Sequence, residues 1–187
     1  MTHSFKLSLA CAVTALFLCA PATQAASIKA YDPDNPSRIV PINEYPELVD
    51  KLIVRKNFDL AQTVIEEGLK QNPLSVQLRF QRCVLFERMG QKERARELLE
   101  DFITRYPEIP EPYNNLAAIY SSIGNLDRAE ELLKKCLALR PNFALAHANL
   151  GNLYLARSKN AFATSLQLAP QNAAIRKKIQ ELDKLLR

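Results

Sequence analysis

Side chains able to do chemistry are few in these 187 residues. There are two histidines (His3, His147) and four cysteines (Cys11, Cys19, Cys83, Cys136). No two of them stand at metal-ligand spacing, and no C-x-x-C or H-E-x-x-H occurs. A G-x-S-x-G elbow and a phosphate-cradling glycine loop are also missing, as four glycines in the whole chain would suggest. Catalysis would therefore have to come from carboxylates and tyrosines alone. The expectation is no enzyme, no catalytic residue, no metal and no cofactor. The formal charge of +5, with acids interspersed among the bases, gives no stripe for nucleic acid.

Two of the cysteines and one histidine fall in an N-terminal segment that reads as a secretory signal. Lys6 precedes an apolar run at residues 7–20, and Pro21 and the small residues 22–26 follow it. As a helix the run would rise about 21 Å, short of the ~30 Å needed to span a membrane. Cleavage after residue 25 would leave His147, Cys83 and Cys136, and would send the chain to an oxidising compartment, expected to be the periplasm. A lipoprotein signal acylated at Cys19 is the alternative. Leu18 stands where such signals carry a small residue, and Cys11 lies too early in the apolar run.

The remainder repeats with a period of 34. Pro73, Pro107 and Pro141 are spaced by it, and so are five apolar columns. A small-to-medium column reads Val49, Cys83, Ala117, Gly151. The others read Leu52, Phe86, Tyr120, Tyr154; Ala61, Ala95, Ala129; Ile65, Leu99, Leu133; and Leu69, Ile103, Leu137. Inside one period, Tyr113, Leu116, Ala117 and Tyr120 share one face of a helix, and Gly124-Asn125 breaks it. Leu126, Ala129, Leu133, Cys136 and Leu137 mark a second helix that Pro141 ends. The small column allows two antiparallel backbones to approach. Glu130/Lys134 and Glu131/Lys135 are expected as exposed i,i+4 pairs.

The run Tyr113-Asn114-Asn115-Leu116-Ala117-Ala118-Ile119-Tyr120, with Gly124, Ala129, Leu133 and Pro141, resembles the tetratricopeptide repeat, and residues 147–154 open a further copy. The likeness implies an all-α, right-handed α-α superhelix with a C-terminal capping helix. Its units would be 42–75, 76–109, 110–143 and a shortened 144–172, followed by a helix at 173–187. Small exported proteobacterial proteins of this kind are similar throughout. Three departures stand out: Arg82 replaces a usual leucine, Arg79 and His147 replace a large aromatic, and Lys56 replaces the turn glycine of the first unit.

The resemblance also implies a protein or peptide ligand on the concave face of the first helices. The residues placed there are Phe80, Val84, Glu87 and Arg88; Asn114, Asn115, Ala118, Ser121 and Ser122; and Leu145, Ala148, Asn149 and Asn152. Some relatives hold a terminal carboxylate there with basic residues and asparagine. Asn115 and Asn149 match the asparagine column, but Pro46, Asp50, Phe80, Val84, Glu111 and Leu145 stand at the basic positions, so no such clamp is expected. The function implied is a non-enzymatic scaffold in an envelope complex; the alternative is an assembly or pilot factor attached to the outer membrane.

The fourth unit has lost five residues. Tyr120 and Leu133 are 13 positions apart, but Tyr154 and Phe162 only 8, and what is missing is the turn. The spacing predicts one continuous helix over 146–168, against a tight turn at 158–160. The apolar surface left over would be covered by the terminal helix, with Ile175, Ile179, Leu182 and Leu186 on one stripe, or by a second copy exchanging its last helices. Residues 176–178 (Arg-Lys-Lys) read as a solvated helix face. Residues 27–41 are too rich in Pro, Asp and Asn for a helix and should form an extended arm. Cys83 and Cys136, on non-adjacent helices of such a stack, are expected as buried free thiols.

Overall fold

The computed structural model describes residues 30–32 and 35–186. The signal segment and Cys19 lie outside the described residues. The arm opens as a short antiparallel ribbon of β1 (Tyr31–Asp32) and β2 (Asn35–Ile39). The Val40 N–H donates to the Ala30 carbonyl at 2.8 Å, and both residues are buried against the first helices. The arm thus lies along the body of the protein, and among the described residues it adds a strand pair to a set of helices.

A 3-10 turn (Ile42–Glu44) leads into α1 (Tyr45–Val54) and α2 (Phe58–Gln71). Then follow α3 (Val76–Arg88), α4 (Lys92–Arg105), α5 (Pro110–Ser122), α6 (Leu126–Leu139), α7 (Ala144–Leu168) and α8 (Ala173–Leu185). Each helix packs on the next, and α1 on α3 and α5 on α7 touch as well. Consecutive hairpins therefore stack in sequence order.

The repeating columns form the seam. Ala61, Ala95 and Ala129 are fully buried, as are Ile65 and Leu99, and Leu133 is 1% exposed. Facing them, Val49, Cys83 and Ala117 are no more than 2% exposed. Burying each large aliphatic side chain contributes about 1.5–3 kcal/mol, and the small residues opposite let the helices close to that packing distance.

Three helical hairpins close with one turn chemistry. In the first, the Asn57 N–H donates to the Leu52 carbonyl and the Lys56 N–H to the Ile53 carbonyl. Gln91 to Phe86 with Gly90 to Glu87, and Asn125 to Tyr120 with Gly124 to Ser121, repeat the pair. This is the Schellman arrangement, which needs a left-handed residue just past the helix end. Gly90 and Gly124 have φ of 76° and 82°, and Lys56 takes the same region at 58°. Lysine in the glycine column thus leaves the first hairpin intact, at a backbone cost.

The fourth unit has no such residue, and α7 runs on for 25 residues without a break. Its far half is covered by α8, through Lys159 paired with Asp183 at 2.5 Å and the Lys178 ammonium 5.1 Å from the Phe162 ring centre. No residue of α8 is buried.

A second repeating device uses the residue six places after each proline. Arg79 donates to the Pro73 carbonyl at 2.6 and 2.9 Å, and Tyr113 Oη to Pro107 at 3.1 Å. His147 Nε2 lies 2.8 Å from the Pro141 carbonyl and Arg176 donates to Pro170 at 2.8 Å. A carbonyl only accepts, so His147 must carry its proton on Nε2. The two departures from the aromatic column keep its hydrogen bond. The same bond at Arg176 shows that α8 enters as the first helix of a further unit.

The candidate peptide-binding groove

The face in question is built by the first helices of successive units: α3, α5 and the near half of α7. Ser75 caps α3, its hydroxyl accepting from the Leu78 N–H at 3.3 Å, and prolines at 110 and 112 start α5. Side-chain amides tie α3 to α1 and α7 to α5. Gln81 Nε2 donates to the Pro46 carbonyl and to Asp50 Oδ1, both at 2.7 Å. Two units on, Asn149 Nδ2 donates to Asn114 Oδ1 at 2.8 Å, and Asn114 Nδ2 to Asn115 Oδ1 at 3.3 Å.

Those bonds decide what the predicted asparagines do. Asn114 is only 3% exposed and holds α5 to α7 from inside. Asn115 and Asn149 are half-buried partners in that link. Phe80 is also half-buried, its ring 5.5 Å from that of Phe102 on α4. Val84 and Glu87 are half-buried and Arg88 is exposed. Burial raises the Glu87 carboxyl above the usual carboxylate range, opposed in part by the Arg88 charge.

One cleft gathers most of the remaining sequence-predicted residues. It measures about 250 Å³ and lies between α5 and α7, lined by Ala117, Ala118, Ser121, Ser122, Leu133, Asn149 and Asn152. Leu145 and Ala148 lie exposed on the near half of α7, outside that lining. Ala117 and Leu133, seam residues by their columns, also form part of the lining. The lining residues themselves carry no charge, and the Lys92 ammonium stands at the edge, donating to Ser122 Oγ at 3.2 Å. Methyl groups alternate with hydroxyls and amides, which suits a peptide backbone and small side chains rather than an ionic ligand. A smaller cleft, about 150 Å³, lies between α2, α3 and α4, with Gln62, Glu66, Arg82 and Arg94 among its walls.

Elsewhere the polar groups serve the fold. Glu130 is paired with Lys134 at 2.8 Å as the spacing predicted, but its side chain is only 13% exposed. It also accepts from Tyr154 at 3.1 Å and from Arg157 at 2.8 Å. Glu131 pairs with Arg128 at 2.8 Å, a correction to the expected Lys135 partner. Cys83 and Cys136 are buried and unbridged, and burial pushes the Cys83 thiol up to about 12. Among the described residues no cluster of His, Cys, Asp or Glu could hold a metal, and no helix is long and apolar enough to cross a membrane.

Comparison with known proteins agrees with this architecture. Two family profiles, both described as tetratricopeptide repeat, match residues 110–143 and residues 83–108. No curated protein matches the chain. Among solved structures, TTC0263, a thermophilic protein of Thermus thermophilus, is 22% identical, with 76% of this chain and 81% of that one covered at a TM-score of 0.57. PilF of Pseudomonas aeruginosa is 19% identical over 75% of this chain and 67% of its own, at a TM-score of 0.55. The first such domain of Spaghetti (RPAP3), solved with an HSP90 peptide, is 18% identical over 63% and 93%, at 0.56. These likenesses are of fold, and the fold is one of protein-interaction scaffolds. With its 34-residue period, its stacked hairpins and its matching profiles over residues 83–108 and 110–143, the chain carries tetratricopeptide repeats.

Proposed function

We propose that this protein is a non-enzymatic scaffold, exported from the cytoplasm, that holds an extended peptide or the flank of a partner helix along α3, α5 and the near half of α7. The observation that carries the reading is the cleft of uncharged lining residues between α5 and α7, beside the exposed Leu145. Backbone groups of a bound segment would meet Asn152 and the serines, and its side chains would meet Ala118 and Leu145. An envelope complex is the setting implied by the signal-like N-terminus. The RPAP3 structure shows an HSP90 peptide bound to a related fold, which supports a peptide as the class of ligand.

The test fills the cleft without touching the seam. Ala118 and Asn152 are exposed, so Ala118→Arg with Asn152→Arg should leave the helical spectrum unchanged. Capture from an envelope extract should then lose the proteins recovered by the unaltered chain, whereas Lys135→Ala on a second helix should retain them. Equal recovery by all three proteins refutes the groove. The intact mass of the mature N-terminus separates a free exported scaffold from a pilot-like factor acylated at Cys19.

A further inference from the structure

The fused helix α7 leaves one seat in the stack empty. On the first helix of each earlier unit, the small position is sealed by the second helix: Val49, Cys83 and Ala117 are 0–2% exposed. Gly151 holds that position in the fourth unit. It is exposed, and a Cβ built on it would meet no atom within 4 Å. Its neighbour in the large apolar column tells the same story. Leu52 and Phe86 are no more than 2% exposed and Tyr120 is half-buried, yet Tyr154 is 45% exposed.

The helix that belongs on this seat exists in the chain but is carried out of reach. Ala129, Leu133, Leu137 and Pro141 recur as Ser158, Phe162, Leu166 and Pro170 at the same steps of four. The first three lie on the far half of α7, which continues the near half and cannot fold back on it. A second copy of the chain can supply the same face. We propose that two copies pair antiparallel through α7, the far half of each filling the seat on the near half of the other.

The register follows from the regular units. Ala117 and Ala129 are the buried small-column residues of the packed helices α5 and α6; matching their equivalents sets Gly151 of one copy against Ser158 of the other. The two-fold axis then passes between Tyr154 and Leu155. Seat and filler sit on one helix on either side of that axis, so both seats close at once and no further copy can add. The helix α8 need not move. In the regular stack a second helix packs on its own first helix and on the next one, as α6 does on α5 and α7. In the pair, the far half of α7 would keep α8 on one flank and take the second copy on the other. The pairing extends the apolar seam of α1–α6, which is why a copy of this chain suits the seat better than an unrelated helix.

The experiment is molecular mass by sedimentation and light scattering over a concentration series of the purified protein. The expected result is a two-chain mass that dilution dissociates. Gly151→Arg meets open space in the single chain, so helicity should be retained. In the pair it buries an unpaired charge and should raise the dissociation constant by at least ~100-fold. A second variant inserts Ser-Ser-Ile-Gly-Asn, the sequence of residues 121–125, between Tyr154 and Leu155. It restores the turn, lets the chain fill its own seat, and should give a one-chain mass. Gly151→Cys combined with Ser158→Cys should oxidise to a linked pair, since these positions are about 10.5 Å apart within one helix and cannot bridge there. A one-chain mass at the highest soluble concentration overturns the proposal. So does a two-chain mass indifferent to Gly151→Arg.

Discussion

Three turns of identical hydrogen bonding with different residues at the left-handed position allow the backbone term to be measured alone. Lys56, Gly90 and Gly124 occupy one column with φ of 58°, 76° and 82°. A Cβ built on Gly90 or Gly124 finds nothing within 4 Å, so Gly90→Ala and Gly124→Ala add no clash. What they add is the left-handed strain of an L-residue, about 1–2 kcal/mol. The stiffer unfolded chain gives back about 0.4–1 kcal/mol. Each glycine variant should therefore lose about 1 kcal/mol. Lys56→Gly runs the other way, relieving strain already present, and should gain about 0.5–1 kcal/mol. For a domain of this size that is a shift of about 2–4 °C in Tm per kcal/mol. Urea titration followed by circular dichroism reads all three, with unchanged slope showing that the unfolded state is comparable. A Lys56→Gly variant less stable than the parent would refute the reasoning. It would mean that the Lys56 side chain contributes more than its backbone costs.

Other substitutions test the packing. Arg82 stands in a leucine column, and its buried Nε lacks a hydrogen-bond partner, so Arg82→Leu should stabilise the fold by about 1–2 kcal/mol in the same titration. Leu99→Ala, at a fully buried seam position, should cost about 2–5 kcal/mol. Asn149→Ala removes the donor to buried Asn114 and should cost about 1–3 kcal/mol, with α7 exchanging amide hydrogens faster than α3. Cys83 is held as the thiol, raised from 9.0 to about 12 by burial, so the unfolded chain releases its proton first. Stability from this group is intact below pH 9 and should fall by about 1.4 kcal/mol per pH unit above it, a slope that Cys83→Ala removes. Native protein should also resist thiol reagents until unfolded.

The fold was legible because the seam is periodic. Small residues recur where two backbones meet and large aliphatic ones where the gap widens, and 34 positions return the chain to the same contact. The loss of five residues was equally legible, since without a left-handed position nothing stops α7. What the spacing could not show was polar and local. The β1–β2 ribbon depends on Ala30 and Val40 finding the first hairpin, and a run rich in Pro and Asp gives no alternation to announce it. Glu130 carries the pattern of a solvated i,i+4 acid, yet it receives Tyr154 and Arg157 because α7 arrives over it. Of the groove, the exposed small residues of α5 and α7 could be placed by phase alone. Asn114 could not, because an amide that links two helices and an amide that awaits a ligand look alike in sequence.

The amide column and the proline column together explain how a stack of units with divergent side chains keeps one geometry. Each proline ends a second helix and leaves its carbonyl bare at the turn into the next unit. A long side chain six residues on returns to it, and guanidinium, phenol and imidazole reach equally well. The demand is for a donor of sufficient length, not for a residue type. Gln81 and Asn149 satisfy a similar demand between neighbouring first helices, one on a backbone carbonyl and one on another amide. Because these bonds hold α1 to α3 and α5 to α7 from within, the outer positions of the same helices are released from structural duty. Ala118, Leu145 and Asn152, all exposed, can then change while the seam beneath them stays the same.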